Sequence, residues 1–284
     1  MKAMKKFYFH TLLLAGLVLA ACSSDDDDHQ GQEEHQAFKT YYMTVDATKG
    51  ADEGANYAST RALALTGSTL NATWATTEHV YVQGLLRSGK SFWFEGFLQP
   101  QSAGTETELI GAISLPAGWS YSSIDEAINN PHFVTLQFPR PGVLDYTGQV
   151  GTLADIAEKY DYAIDPKVEV EITADQVHGV EYAEFVSQQA IVKFTLTNSD
   201  GTTLLNPTAL IVQYGEESLS LTSIPSTTYE TNGNGVLYVA IPGFTGNVTL
   251  SAKVGEKTYT FIKSNVTFEN GKYYEVDVKM KEKV

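Results

Sequence analysis

The sequence predicts an all-β protein with a β-sandwich in each half, and three observations carry that prediction. Valine, threonine and tyrosine are plentiful, with 16 Tyr and 13 Phe in the chain, and these residue types fit the pleated, half-buried surface of a strand. Apolar residues recur at every second position in segment after segment, the spacing that puts one face of a strand on a core and the other in water. Turn signals containing Gly or Asn separate these segments at the intervals found between sandwich strands. The 284 residues suit two domains of about 100 to 200 residues each.

The N-terminus sets the compartment. Lys2, Lys5 and Lys6 precede an apolar run from Thr11 to Leu19, shorter than the roughly 20 residues needed to cross a bilayer. Residues 1–21 therefore read as a signal peptide. It ends in Leu19-Ala20-Ala21-Cys22, which looks like a bacterial lipobox, so Cys22 is expected to become the lipid-bearing first residue. Asp25 to Asp28 follow at once, and four adjacent acids cannot sit unpaired in a core. Residues 22–37, acidic and Gln-rich, read as a disordered tether. Cys22 is the one cysteine, which excludes a disulfide within the chain, and no second long apolar run follows it. The formal net charge is −15 before the three leader lysines are removed, so nucleic acid is excluded as a partner for want of a basic face.

Residues 38–187 read as the N-terminal domain. Its first strand spans 40–48, where Tyr41, Met43, Val45 and Ala47 alternate with polar neighbours; a small, acidic loop then leads to Arg61. Val80–Val82 and Phe92–Phe94 flank a hairpin turning at Ser88-Gly89, and further strands fall at Leu109–Leu115, Phe133–Phe138 and Val168–Ile172. Two short helices are expected. One is capped by Ser123 with Glu126 reaching back. The other starts at Thr152, with Leu153, Ile156, Ala157 and Tyr160 on one face and Asp155, Glu158 and Lys159 in water.

Residues 188–284 read as an all-β C-terminal domain. Val192, Phe194 and Leu196 alternate, followed by strands at Leu210–Tyr214, Leu219–Leu221 and Val236–Ile241, the last fed by the Asn232–Gly235 turn. Val248 to Val254 returns after Gly255 through Tyr259 and Phe261 as a hairpin. Asn270-Gly271 turns into a final strand presenting Tyr274, Val276, Val278 and Met280, expected to be free to move because the chain stops at Val284.

Candidate chemistry is sparse. Gly84 to Ser91 spells the phosphate-loop pattern, but that chemistry needs a helix after the loop, whereas Phe92-Trp93-Phe94 is strand-like. The six histidines show no pair at metal-ligand spacing. Glu169 and Glu171 lie two apart on the wet side of a strand rather than as a glycosidase dyad. Trp93, Trp119, Tyr121 and Tyr162 are either core residues or the lining of a sugar-binding face, which keeps a surface glycan-binding lipoprotein as the alternative function. No catalytic residue, cofactor or metal site is predicted, and the chain is not expected to be an enzyme.

Several segments in order resemble the fimbrillin-like (major fimbrial subunit, Mfa-like) lipoproteins of Gram-negative anaerobes. They are Thr60-Arg61-Ala62-Leu63 leading to Asn71-Ala72-Thr73-Trp74, Gly151 to Ala157, Gln189 to Phe194, and Asn270 to Tyr274. The resemblance implies two transthyretin-like β-sandwich domains and an outer-membrane, surface-exposed lipoprotein. It also implies assembly with other fimbrial subunits, as a homo- or hetero-polymer, into an adhesive fimbria with host or bacterial surface ligands. An arginine-directed protease would cut after the first strand, at Arg61 with Lys49 as the alternative, and a neighbour's strand would fill the groove. The donor would be the segment carrying Tyr274, Val276, Val278 and Met280. The short end after that strand also suits an anchor or tip subunit that keeps its lipid.

Overall fold

The computed structural model describes residues 39–49, 63–66, 69–139 and 144–283. Alternation becomes strand where expected: β1 (Tyr41–Lys49), β2 (Leu63–Thr66), β3 (Thr69–Ala72), β4 (Tyr81–Leu85), β5 (Ser91–Trp93), β6 (Glu95–Pro100), β7 (Glu106–Ser114) and β8 (Phe133–Phe138). β9 (Ala163–Ile172), β10 (Gln176–Gly179) and β11 (Ala183–Ser187) complete the first half. The second half contains β12 (Gln189–Thr197), β13 (Ala209–Tyr214), β14 (Glu217–Thr222), β15 (Val236–Pro242), β16 (Phe244–Val254), β17 (Lys257–Phe268), β18 (Tyr273–Lys279) and β19 (Lys281–Glu282). Three short helices interrupt them: α1 (Ile124–Ala127), α2 (Leu153–Lys159) and α3 (Ser226–Asn232).

Nine strands of the first half share one sheet in the order β5-β4-β8-β9-β10-β1-β7-β6, with β11 bonded to both β1 and β9. The sheet curls on itself, since Val80 just before β4 bridges Leu98 of β6. Its inner face holds one apolar cluster, including Met43, Val45, Trp74, Leu98, Leu109, Leu136 and Phe185. In the second half, β15-β12-β18 faces β14-β13-β16-β17-β19. Phe194, Leu237 and Val278 from the first of these sheets meet Leu210, Leu221 and Leu250 from the other in a second cluster. Ile156, Ala157 and Tyr160 of the α2 region also belong to this second cluster.

The phosphate-loop spelling is a hairpin: β4 pairs antiparallel with β5, and Gly89 turns it at a φ of 83°. The α1 and α2 caps form as expected, with Ser123 accepting from the Glu126 N–H and Thr152 from the Asp155 N–H. Glu126 reaches back one residue further than a capping box requires, taking the amide and hydroxyl of Ser122 at 3.0 and 2.7 Å. Asp155 is buried rather than wet, because its carboxylate folds back to accept the Val150 N–H at 2.8 Å.

Two differences concern the second half. It contains α3, a Ser-Thr-Thr-Tyr-Glu-Thr-Asn segment of low helix propensity with no side-chain cap bond. Tertiary contacts hold it instead: Tyr229 donates to the Pro207 carbonyl, Thr228 to that of Val150 and Asn232 to that of Gly151. The final strand is not free, either. β18 runs parallel to β12 from Ile191↔Tyr273 to Thr197↔Lys279, with Val278 and Met280 fully buried.

Burial along β1 strictly alternates, which generates a test. Met43 is wholly enclosed whereas Tyr42 on the opposite face is 62% exposed. Met43→Ala is expected to destabilise the fold by about 2–5 kcal/mol through the cavity it leaves, and Tyr42→Thr to stay within about 0.5 kcal/mol, both read by denaturant unfolding.

Candidate functional site

The site built by the first half is the slot that β1 occupies. β1 is a central strand. On one side it pairs antiparallel with β7 from Tyr41↔Ile113 to Thr48↔Glu106. On the other it pairs parallel with β10 at Tyr42–Thr44 and with β11 at Ala47–Lys49. The slot therefore has one antiparallel and one parallel wall, and its backbone pattern fixes both the direction and the register of its occupant. Inward-facing positions fall at Tyr41, Met43, Val45, Ala47 and Lys49, all of them buried.

The fifth of these positions is a charge. Lys49 is 1% exposed, and burying an ammonium is costly unless it is paired. Its Nζ lies 2.9 Å from Asp161 Oδ2 and 3.2 Å from Glu78 Oε1, both carboxylates being buried themselves. Aromatic faces close the cage, with Nζ 4.2 Å from the Phe138 ring centre and 4.9 Å from that of Trp74. The carboxylates are in turn held: Glu78 Oε2 accepts the Ala75 N–H at 3.3 Å, and Asp161 Oδ1 accepts from Gln189 Nε2 at 3.3 Å. Gln189 is the first residue of β12 and also accepts the Tyr162 N–H through Oε1. The end of β1 is thereby tied through Asp161 to the first strand of the second half.

Cys22 and Arg61 lie outside the described residues. Lys49, the alternative cut, has its side chain in this cage and its N–H bonded to the Thr105 carbonyl, so a protease cannot take it into a specificity pocket while β1 is seated. Tyr274, Val276, Val278 and Met280 lie at the edge strand β18 and just beyond it, with Val278 and Met280 buried and the other two half-buried. Trp93, Trp119, Tyr121 and Tyr162 are half-buried; Trp119 packs with Phe92 and Tyr121, whereas Tyr162 meets Tyr146 edge-on. Glu169 and Glu171 are exposed on β9. Among the described residues no group of three or more His, Cys, Asp or Glu side chains could hold a metal ion. Among them, too, no helix is long and apolar enough to cross a membrane. Glu78 and Asp161 were missed from sequence. The signal that pointed to them was the cation at the fifth inward position of an otherwise apolar alternation.

The geometry defines a strand-built scaffold whose most unusual feature is an interior N-terminal strand ending in a caged charge. Among the solved structures that this chain is similar to are fimbrial and cell adhesion proteins. A candidate cell adhesion protein from Bacteroides ovatus is 12% identical, with 87% of this chain and 96% of that one covered and a TM-score of 0.42. The tip fimbrial protein Mfa3 from Porphyromonas gingivalis, truncated at its C-terminus, is 9% identical over 86% and 98% of the two chains, at a TM-score of 0.39. A fimbrial assembly protein from Parabacteroides distasonis is 13% identical over 84% and 90%, at 0.37. No family model matches the chain, and no curated protein does.

The cage makes its own prediction. Glu78→Gln or Asp161→Asn takes one of the two carboxylates from Lys49 and leaves the other paired with it, so each is expected to destabilise by about 1.5–3 kcal/mol, the cost of one buried hydrogen bond to a charge. The exposed pair Lys193–Glu275, at 3.5 Å, should lose less than about 1 kcal/mol on Lys193→Ala. Urea unfolding of the three variants in parallel checks the contrast.

Proposed function

We propose that this protein is a structural subunit of a cell-surface fimbria, made as an outer-membrane lipoprotein on Cys22 and joined to its neighbours by strand addition. In this reading a protease cuts at Arg61 in the segment after β1, β1 leaves, and a strand from an adjoining subunit takes its place. The terminal segment bearing Tyr274, Val276, Val278 and Met280 is what this chain gives to the next subunit. The assembled fibre then meets host or bacterial surface ligands. No catalytic step is assigned to the chain.

The observation that carries the reading is the placement of β1. It is joined downstream through residues 50–62, yet it supplies a central strand and five buried inward side chains to its sheet. Such a slot, once vacated, offers unpaired backbone groups on both walls and empty pockets at every second position, the conditions for strand addition. Arg87, by contrast, is held by bonds from its guanidinium to the carbonyls of Ile128 and Asp125 and is not presented for cleavage.

The test uses the precursor with Cys22→Ser, treated with an arginine-specific protease and run unboiled in detergent. A ladder of oligomers is expected, with a new N-terminus at Ala62, and Arg61→Gln should remain a monomer. A product trimmed at Arg61 that runs only as a single monomer band contradicts assembly by strand addition.

A further inference from the structure

We propose that a cleft at the end of the second sandwich away from the Lys49 cage binds one uncharged sugar ring at the non-reducing end of a surface glycan. The proposal supplies a chemistry for the surface ligands of the reading above, and it rests on that reading only for where cleft and glycan meet.

β12 starts at Gln189, which bonds to Asp161 of the cage, and runs to Thr197 at its other end. There the Leu196 N–H donates to the Gly235 carbonyl and the Leu205 N–H to that of Leu196, which sets the chain after β12 beside the turn before β15. With α3 as a further wall, these segments enclose a cleft of about 530 Å³, a size found in small-molecule sites, about 300–1,000 Å³. Pro207, Ile224 and Tyr229 are buried and form its floor. Asn206, Thr208, Ser226, Glu230 and Asn234 are exposed and form its rim. The rim is held in shape. Asn206 accepts the Gly235 N–H at 2.7 Å and donates to Asn234 Oδ1 at 2.9 Å, and the Tyr229 hydroxyl pins α3 to the Pro207 carbonyl. These bonds leave N–H donors on both amides, and the Ser226 hydroxyl and Glu230 carboxylate have no hydrogen bond or ion pair among the described residues.

An apolar floor under a rim of mixed donors and acceptors suits a ligand with a C–H face and an edge of hydroxyls. A pyranose ring has both: its face packs on the floor, and each of its hydroxyls donates and accepts. The Glu230 carboxylate accepts from ring hydroxyls in charge-assisted bonds, and the amide N–H groups of Asn206 and Asn234 donate to hydroxyl oxygens. Charge narrows the class. Glu230 is the one charge among the residues that line the cleft, with no cation beside it, so a phosphate, a sulfate or an acidic sugar would meet a carboxylate and no counter-charge. Because the rim is fixed before the ligand arrives, little of the binding energy goes into ordering it. Trp93, Trp119, Tyr121 and Tyr162 do not line this cleft, which is a different surface from the aromatic one that the sequence offered for sugars. Nor does it share a residue with the β1 slot, so the uncut protein carries it complete.

The test titrates the uncut Cys22→Ser protein with the methyl glycosides of neutral hexoses and N-acetylhexosamines, read by saturation-transfer NMR. Methyl glucuronide and N-acetyl-lysine amide serve as the anionic and cationic comparisons. At least one neutral glycoside is expected to bind with a Kd of about 1 mM or below, and methyl glucuronide at least about tenfold more weakly. Glu230→Gln removes the charged acceptor and Asn234→Asp the amide donor while keeping an oxygen for Asn206. Each is expected to weaken the neutral glycoside by about tenfold or more, with a melting temperature within a few degrees of the parent. Failure of every neutral glycoside to bind at about 10 mM overturns the proposal. So does a Kd that neither variant changes, which puts the sugar elsewhere on the protein, and so does tighter binding of N-acetyl-lysine amide than of any glycoside, which makes the cleft a cation site. Strand addition is read separately, by the ladder formed after cleavage, so either idea can fail while the other stands.

Discussion

The ammonium of Lys49 between Asp161 and Glu78 is the contact on which the placement of the first strand depends. A buried ion pair is a weak source of net stability, because desolvation of the charges offsets most of their attraction. Its effect is on register. Sliding β1 by one residue would turn Lys49 outward and bring Tyr42, Thr44 and Asp46 onto the core face. Sliding by two would put the lysine where Ala47 sits, among apolar groups with no counter-charge. The cage thus leaves one alignment for a strand whose inward pattern, taken without its last residue, would tolerate several.

That alignment matters beyond one strand. β7 and β6 join the rest of their sheet through β1 on one side, where β1 stands between β7 and β10, and through the Val80–Leu98 bridge on the other. The cage also reaches the second half, because Asp161 accepts from Gln189 at the start of β12, and Gln189 holds the Tyr162 amide. β12 is in turn the central strand of its three-stranded sheet, flanked by β15 and β18. A charge at the end of the first strand is connected by two side chains to the centre of the second sandwich. β18 is a contrasting case, lying at a sheet edge with β12 as its sheet neighbour among the described residues.

Much of this was legible in the sequence, and the reasons are local. The hairpin at Ser88-Gly89 was readable because a glycine turn between alternating segments leaves few alternatives, and α1 and α2 because Ser123 and Thr152 carry cap chemistry in their side chains. What escaped was set by tertiary contact. Nothing in Ser226–Asn232 favours a helix; Tyr229, Thr228 and Asn232 make one by bonding carbonyls remote in the chain. β10 and β11 are only four and five residues long, and become strands because β1 and β9 offer them partners. Asp155 was assigned to water by helical periodicity, which carries no information about the Val150 N–H waiting beside it. Lys49 was one step beyond the alternation already recognised, and only its partners, about 30 and 110 residues away, explain why a cation occupies that phase.

The same energetics bear on how β1 could be exchanged at all. Tyr41, Met43 and Val45 are three large, fully enclosed apolar side chains, and together they contribute roughly 5–9 kcal/mol of burial. That is comparable with the whole stability of an ordinary domain, about 5–15 kcal/mol. Vacating the slot with nothing to follow would therefore cost most of what holds the first sandwich together, quite apart from the two ladders of backbone bonds. A cut in the chain after β1 would leave every one of these contacts intact, so the cut strand would stay seated as a bound peptide. The exchange proposed above would then run as displacement, with the incoming strand forming its bonds to β7 and β10 as β1 gives up its own. The tight end of the strand is the Lys49 end, held by charge, and the loose end is at Tyr41, where the register with β7 begins. In the proposed exchange displacement would be easiest from the Tyr41 end, and release of Lys49 from Glu78 and Asp161 would be its last step.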